Sequence, residues 1–184
     1  VKDPVSIDVK NQYEVSPYPR WRFTYKIFPI SFIDKINTEL NPRKIVYNNE
    51  FENPDILIAG CGTGMHICDT AISKNAKILA VDLSKTSLAF AKRKVIELEI
   101  KNVDFLNADI LNLRDLDRKF DVIECVGTLH HMEDPNKGLK VLLDILKPNG
   151  FLKLGLYSKL ARSHINYGKQ IIKESNFKNV DQDI

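Results

Sequence analysis

Apolar residues in the middle of the chain change their spacing repeatedly, and each change marks an element. Ile56-Leu57-Ile58-Ala59 is a short unbroken apolar run ending in glycine, the pattern of a parallel strand buried on both faces. After it, Ile67, Cys68, Ala71 and Ile72 share one helical face. Lys77-Ile78-Leu79-Ala80-Val81 reads as a second strand ending at Asp82. Ser84 is placed to cap the next helix, whose Leu88, Ala91, Val95 and Leu98 keep the helical period. A third strand, Val103-Asp104-Phe105-Leu106, ends at Asn107-Ala108-Asp109, and Phe120 to Val126 forms a fourth. Asp134-Pro135 opens another helix, with Leu139, Leu142, Leu143 and Leu146 as its buried stripe. Pro148-Asn149-Gly150 stops that helix before a fifth strand, Phe151 to Leu156.

Strands alternating with helices predict an α/β fold. The sheet is doubly wound and mostly parallel, of about five strands, with helices on both faces and right-handed crossovers. The chain divides into an N-terminal helical and aromatic cap segment (1–50), an α/β core (51–158) and a C-terminal helix and tail (159–184). Within the cap, the pattern predicts a helix near Ser31 to Leu40, stopped by Asn41-Pro42. Ahead of it runs an aromatic and proline-rich stretch, Tyr13 to Trp21.

At 184 residues one domain with a real core is expected. No apolar run approaches the roughly 20 residues of a membrane span, and the N-terminus is not signal-like. The chain is therefore expected in the cytoplasm. A net charge of +3 gives no argument for nucleic acid. The basic runs Arg20/Arg22/Lys26 and Lys92-Arg93-Lys94 read as solvated surface. Cys61, Cys68 and Cys125 form no CxxC pair and read as reduced, mostly buried thiols. A zinc site from Cys61, Cys68 and His66 has the wrong spacing, so no metal is expected. The chain opens on Val1 rather than Met, which suggests a fragment or a processed form.

Gly60-Cys61-Gly62-Thr63-Gly64 follows a strand and opens a helix. Glycine serves where the backbone turns tightly and a ligand must approach without a Cβ in the way. N–H donors and partial positive charge there suit a carboxylate or phosphate. Dinucleotide sites favour G-x-G-x-x-G, whereas this loop is G-x-G-x-G. Asp82 ends the next strand about 20 residues on, where a carboxylate can accept both hydroxyls of a ribose. Asp109 ends the third strand at the same sheet edge and can accept from an adenine amino group. Leu83 and Ile110 are placed to pack on the ring. Separately, Asp82 and Asp109 would read as surface carboxylates or caps; their shared edge gives them meaning.

These segments, with Phe120-Asp121-Val122-Ile123, Gly127-Thr128-Leu129-His130-His131 and Leu146-Lys147-Pro148-Asn149-Gly150, resemble class I S-adenosylmethionine-dependent methyltransferases. The resemblance covers roughly Asp55 to Ser158 and implies a Rossmann-like fold with S-adenosyl-L-methionine as cofactor. It implies that Gly60 to Gly64, including Cys61 and Thr63, hold the methionine carboxylate and amine. Asp82 would hold the ribose, and Asp109 with Leu83 and Ile110 the adenine. Val126 and Gly127 would border the methionine portion and face the acceptor. Gln12-Tyr13-Glu14, Pro17-Tyr18-Pro19-Arg20-Trp21 and Gly155-Leu156-Tyr157-Ser158 resemble a branch in which the domain often follows tetratricopeptide repeats. One departure is Ile58, where many members carry an acidic residue two positions before the first glycine. Amine recognition would then rest on backbone carbonyls or another side chain.

His131 and His130 form a titratable pair at a strand end, plausible as a base for an acceptor hydroxyl or amine. The alternative is that one is structural in its loop and the other exposed. Glu133 and Asp134 read as capping residues. Tyr13, Tyr18, Arg20 and Trp21 could form a lid or simply pack over the sheet rim, and Tyr157 is placed to touch an acceptor. The expected chemistry is in-line methyl transfer to an unidentified acceptor, which needs no covalent enzyme intermediate. Rival readings are an NAD(P)-dependent oxidoreductase and a non-catalytic cofactor-binding module. The resemblance also implies an antiparallel hairpin after the fifth strand, yet Lys159 to Ile184 read as a polar helix and tail. The outer edge of the fifth strand is thus expected to lack partners within this chain, leaving room for a missing segment, a dimer partner or a covering helix.

Overall fold

The computed structural model describes residues 3–24, 28–46 and 51–175. Five strands, β1 (Asp55–Ala59), β2 (Lys77–Asp82), β3 (Val103–Asn107), β4 (Phe120–Val126) and β5 (Leu146–Gly155), form one sheet in the order β3-β2-β1-β4-β5. Every pairing is parallel, with Ile58 of β1 opposite both Ala80 of β2 and Glu124 of β4. The order reverses between β1 and β4, and a crevice opens at the carboxyl ends of the strands where such a reversal occurs.

Successive strand residues point to opposite faces, so the unbroken apolar runs fill two cores at once. One face, with Ile56, Ile58, Ile78 and Ala80, packs on α2 (Phe32–Leu40), α3 (Met65–Thr70) and α4 (Lys85–Glu97). The other, with Leu57, Ala59, Leu79 and Ile123, packs on the 3-10 turn Ile110–Leu116 and on α5 (Pro135–Asp144). Three helix starts follow the expected chemistry. Ser31, Ser84 and Asp134 each accept a backbone N–H in the first turn.

The structure departs from the sequence pattern in four places. An unanticipated α1 (Pro4–Val15) starts from Asp3, whose side chain accepts from Ser6 N–H. α3 ends at Thr70, so Ala71 and Ile72 lie beyond it. Leu143 is 51% exposed, and Val141 takes its place in the buried face of α5. β5 begins earlier than expected: Leu146 pairs with Phe120, and pairing resumes at Phe151 opposite Val122, with 147–150 bulging between. Among the described residues no strand lies outside β5, and α6 (Ser163–Glu174) buries none of its residues.

The three cysteines are free and buried. The basic run Lys92-Arg93-Lys94 is partly occupied locally. Arg93 and Lys94 pair with Glu97, and Lys94 lies 5.5 Å from the centre of the Trp21 ring. Lys26 of the other run lies outside the described residues. No helix among the described residues is long and apolar enough to cross a membrane.

Candidate active site

The bend after β1 is tied to β2 from both sides. Gly60 and Cys61 N–H both donate to the Val81 carbonyl, at 2.8 and 2.9 Å. Gly62 N–H donates to Asp82 Oδ2 at 2.8 Å, and Asp82 Oδ1 accepts from Ser84 N–H at 2.9 Å. Gly60 sits at φ +80°, and a Cβ there would lie 2.2 Å from Thr128 Oγ1. Gly62, at φ +52°, would meet only the Tyr18 carbonyl, 3.7 Å away, so its face is open to a ligand. Gly64 serves packing: a Cβ would come within 2.7 Å of Ala91 Cβ on α4.

Asp109, 5% exposed, follows β3 and caps the 3-10 turn by accepting from Leu111 N–H at 3.0 Å through Oδ1. Its other oxygen carries no hydrogen bond within the described residues. Asp82 is pushed upward in pKa by burial, against the pull of the Ser84 and Gly62 N–H groups.

A cavity of about 340 Å³ opens over these strand ends, within the roughly 300–1,000 Å³ usual for small-molecule sites. The loop residues Gly60, Cys61, Gly62 and Thr63 line it, as do Asp82, Leu83, Asp109 and Ile110 beyond β2 and β3 and Val126 and Gly127 at β4. Of the residues expected to hold the donor, only Gly64 does not.

The histidine pair separates. His131 lines the cavity; His130 does not. The His130 ring lies 3.7 Å from that of Tyr157, with the Arg162 guanidinium 3.8 Å over Tyr157, and neither of its buried ring nitrogens has a partner. Burial holds the pKa of both histidines below the usual value, with further repulsion from Arg162. His131 is thus neutral near neutral pH, as a proton acceptor must be.

The N-terminal segment supplies the cavity's outer wall. Tyr13, Tyr18 and Pro19 line it with Ser6, Val9 and Lys10 of α1, and Tyr157 borders it from beyond β5. Trp21 does not reach it: buried, it donates Nε1–H to the Thr63 carbonyl at 3.0 Å, while Thr63 Oγ1 donates to the Pro19 carbonyl at 2.6 Å. Arg20 is exposed and not part of the lining. Glu14 clamps α1 to the start of α4 by accepting from Lys85 N–H, Thr86 N–H and the Thr86 hydroxyl at 2.8, 3.0 and 2.5 Å.

The sequence did not disclose a buried polar cluster behind the loop. Glu124 of β4, 1% exposed, accepts from Lys35 Nζ at 3.1 Å, from the Thr70 hydroxyl and from His66 Nε2 at 2.8 Å. Burial alone would raise its pKa, but His66, Lys35 and Thr70 together hold it at about 2. His66, on α3, lines the cavity.

Fold and site together define an α/β domain with a small-molecule crevice at a sheet's topological switch point. The chain belongs to the methyltransferase domain family, whose profile matches residues 56–150. An uncharacterized protein of Synechococcus sp. is 36% identical over 121 residues, covering 65% of this chain and 29% of the relative. The ubiquinone biosynthesis O-methyltransferase of Alkalilimnicola ehrlichii is 27% identical over 134 residues, covering 70% of this chain and 52% of the enzyme. PKMT2 from Rickettsia typhi, solved in complex with AdoHcy, superposes with a TM-score of 0.62 at 27% identity, covering 90% of this chain and 32% of that one. The chain thus spans about half or less of each relative's length.

Proposed function

We propose that this domain binds S-adenosyl-L-methionine and transfers its methyl group to a nucleophile presented at the Tyr13–His131–Tyr157 side of the cavity. The observation that carries this reading is the convergence of Gly62, Asp82 and Asp109, from three consecutive strand ends, on one cavity. The donor set fits the cofactor. Asp82 offers carboxylate lone pairs to a ribose, Asp109 an unoccupied oxygen to an adenine amino group, and Leu83 and Ile110 apolar faces to the ring. The open face of Gly62 and the empty space beside Gly127 leave room for the amino-acid end. The AdoHcy found in the similar PKMT2 structure supports the same assignment.

S-adenosylmethionine supplies an electrophilic methyl group already activated on sulfonium sulfur, so the chain's task is alignment and exclusion of water. Tyr13, Tyr18 and Pro19 close the outer wall, and the pKa of the Tyr13 hydroxyl is raised by its burial. His131, uncharged and facing the cavity, accepts a proton from an acceptor O–H or N–H. His130, stacked behind Tyr157, holds that ring in place.

The tie between Gly62 and Asp82 within a G-x-G-x-G loop favours this reading over an NAD(P)-dependent oxidoreductase. A cytoplasmic setting, a place beside tetratricopeptide repeats in a longer chain, and a partner or further segment along the open edge of β5 complete the proposal. Methylation assays with S-adenosylmethionine and panels of hydroxyl and amine acceptors test it. A His131→Ala variant is expected to keep S-adenosylhomocysteine affinity while losing turnover. Full turnover in that variant would remove His131 from the chemistry.

A further inference from the structure

Tyr13, His131 and Tyr157 mark the acceptor side of the cavity, and a cation is held against one of them. The Arg162 guanidinium lies 3.8 Å from the centre of the Tyr157 ring, which also carries the His130 ring at 3.7 Å. His131 has a phenol ring on each hand, Tyr13 at 6.4 Å and 73° and Tyr157 at 6.2 Å and 83°. Rings set edge-on to one another offer an aromatic guest both flat and edge contacts. Val126 and Met132 add apolar wall to the same cavity.

The charges on this side have one sign. Arg162 is partly exposed, and its guanidinium rests on Tyr157 without an ion pair among the described residues. It pushes His130 and His131 towards the neutral form, and no carboxylate among the described residues offsets that repulsion. Lys10 lines the cavity from the same face of α1 as Tyr13. Its acid neighbour one turn on, Glu14, has both oxygens engaged by Lys85 and Thr86. The acids that line the cavity are Asp82 and Asp109, which the reading above gives to the donor's adenosine; Asp82 also acts on Tyr13. An ammonium acceptor would therefore meet like charge from Arg162, Lys10 and the donor's sulfonium. A carboxylate would meet opposite charge, and a guanidinium fork suits its two oxygens.

We propose that the acceptor is an aromatic hydroxyl compound carrying a carboxylate, and that Arg162 binds that carboxylate. This rests on the methyl-transfer reading of the cavity. The acceptor oxygen bonds the methyl carbon as the S–CH3 bond breaks, and the hydroxyl proton passes to His131. The carboxylate stays out of the chemistry and selects which molecule is seated.

The test titrates three catechols into the protein loaded with S-adenosylhomocysteine, which lacks the sulfonium charge and so leaves the protein's own charges to be read. Protocatechuate carries a ring carboxylate, catechol no charge, and dopamine an ammonium. Protocatechuate is expected to bind at least about ten-fold more tightly than catechol, the scale of a charged hydrogen bond, with dopamine weakest. Arg162→Gln should weaken protocatechuate roughly ten-fold and change catechol less than about two-fold. Arg162→Lys, which keeps the charge, should recover part of the loss. Retained S-adenosylhomocysteine affinity shows that each variant is folded. Equal losses for all three catechols would make Arg162 a prop for Tyr157 and overturn the proposal. So would catechol or dopamine binding as tightly as protocatechuate, or no binding of any catechol. A preference lost in Lys10→Gln but kept in Arg162→Gln gives the carboxylate to Lys10 and overturns it too. If the unaltered protein does not bind S-adenosylhomocysteine at all, the donor reading itself fails, a result distinct from the others.

Discussion

Gly62 and Asp82 are joined by a 2.8 Å hydrogen bond from the loop N–H to the carboxylate at the end of β2. The bond orients the carboxylate over the glycine bend and leaves lone pairs for a ligand. Burial keeps Asp82 above the usual aspartate pKa. In the free protein it therefore takes up a proton at a higher pH than an ordinary aspartate, while ribose hydroxyls favour the ionised form. S-adenosylhomocysteine affinity is expected to fall as the pH drops into that raised range. Asp82→Asn should bind at least about ten-fold more weakly and lose this pH dependence. Titrations of both proteins across mildly acidic pH check it; parallel curves would count against a role for Asp82.

The two loop glycines should respond differently to a methyl group. Gly60→Ala combines a left-handed backbone with a Cβ inside Thr128, costing about 2–5 kcal/mol of stability. Gly62→Ala carries only the backbone strain, about 1–2 kcal/mol, but its methyl group enters the ligand space. Urea unfolding should rank Gly60→Ala as the more destabilised. Thermal shift with S-adenosylhomocysteine should show Gly62→Ala folded but unresponsive.

The Glu124 cluster predicts an acid limit to stability. Its folded pKa of about 2 lies below the ordinary glutamate value of 4.5, so its contribution is complete above pH 4.5 and is lost as the pH falls from 4.5 towards 2. Glu124→Gln removes the nearer and more deeply buried of the two carboxylates on Lys35, leaving only Glu39 at 3.6 Å, and should cost roughly 3–5 kcal/mol at neutral pH. Adding Lys35→Met should restore much of it. Additive losses in that double-mutant cycle would show that the two residues do not act together.

Trp21 and Glu14 fasten the cavity's outer wall at its two ends. Trp21→Ala or Glu14→Ala should speed amide hydrogen exchange in Pro4–Val15 with little effect on β1 and β4, because the core packs without α1. Saturating S-adenosylhomocysteine should slow that exchange in the unaltered protein. Exchange that rises equally in the sheet would mean that α1 is part of the cooperative core.

Much of this organisation is legible in the amino-acid order because it is local. Strand runs, Ser and Asp caps and glycine turns are short-range signals, and the parallel topology follows from their alternation. α1 has polar residues around most of its surface and no clean apolar stripe. Its Asp3-Pro4 start nevertheless repeats the Asp134-Pro135 signal that marks α5. The His66–Glu124–Lys35 cluster could not be read this way. Glu124 looks like one polar residue in an apolar strand, and its lysine partner is 89 positions away. His130 and His131 are adjacent in sequence, and only the packing of Tyr157 tells them apart. The short α3 and the exposed Leu143 show periodicity running past the point where tertiary contact ends.

Calorimetric titration of the purified protein with S-adenosylhomocysteine, with NAD in a parallel cell, tests the adenosyl-amino-acid site most directly. The account predicts one site per chain for S-adenosylhomocysteine, lost in Asp82→Ala and Asp109→Ala, and no heat from NAD. Folded protein that binds NAD, or that binds S-adenosylhomocysteine equally well without both carboxylates, would contradict it.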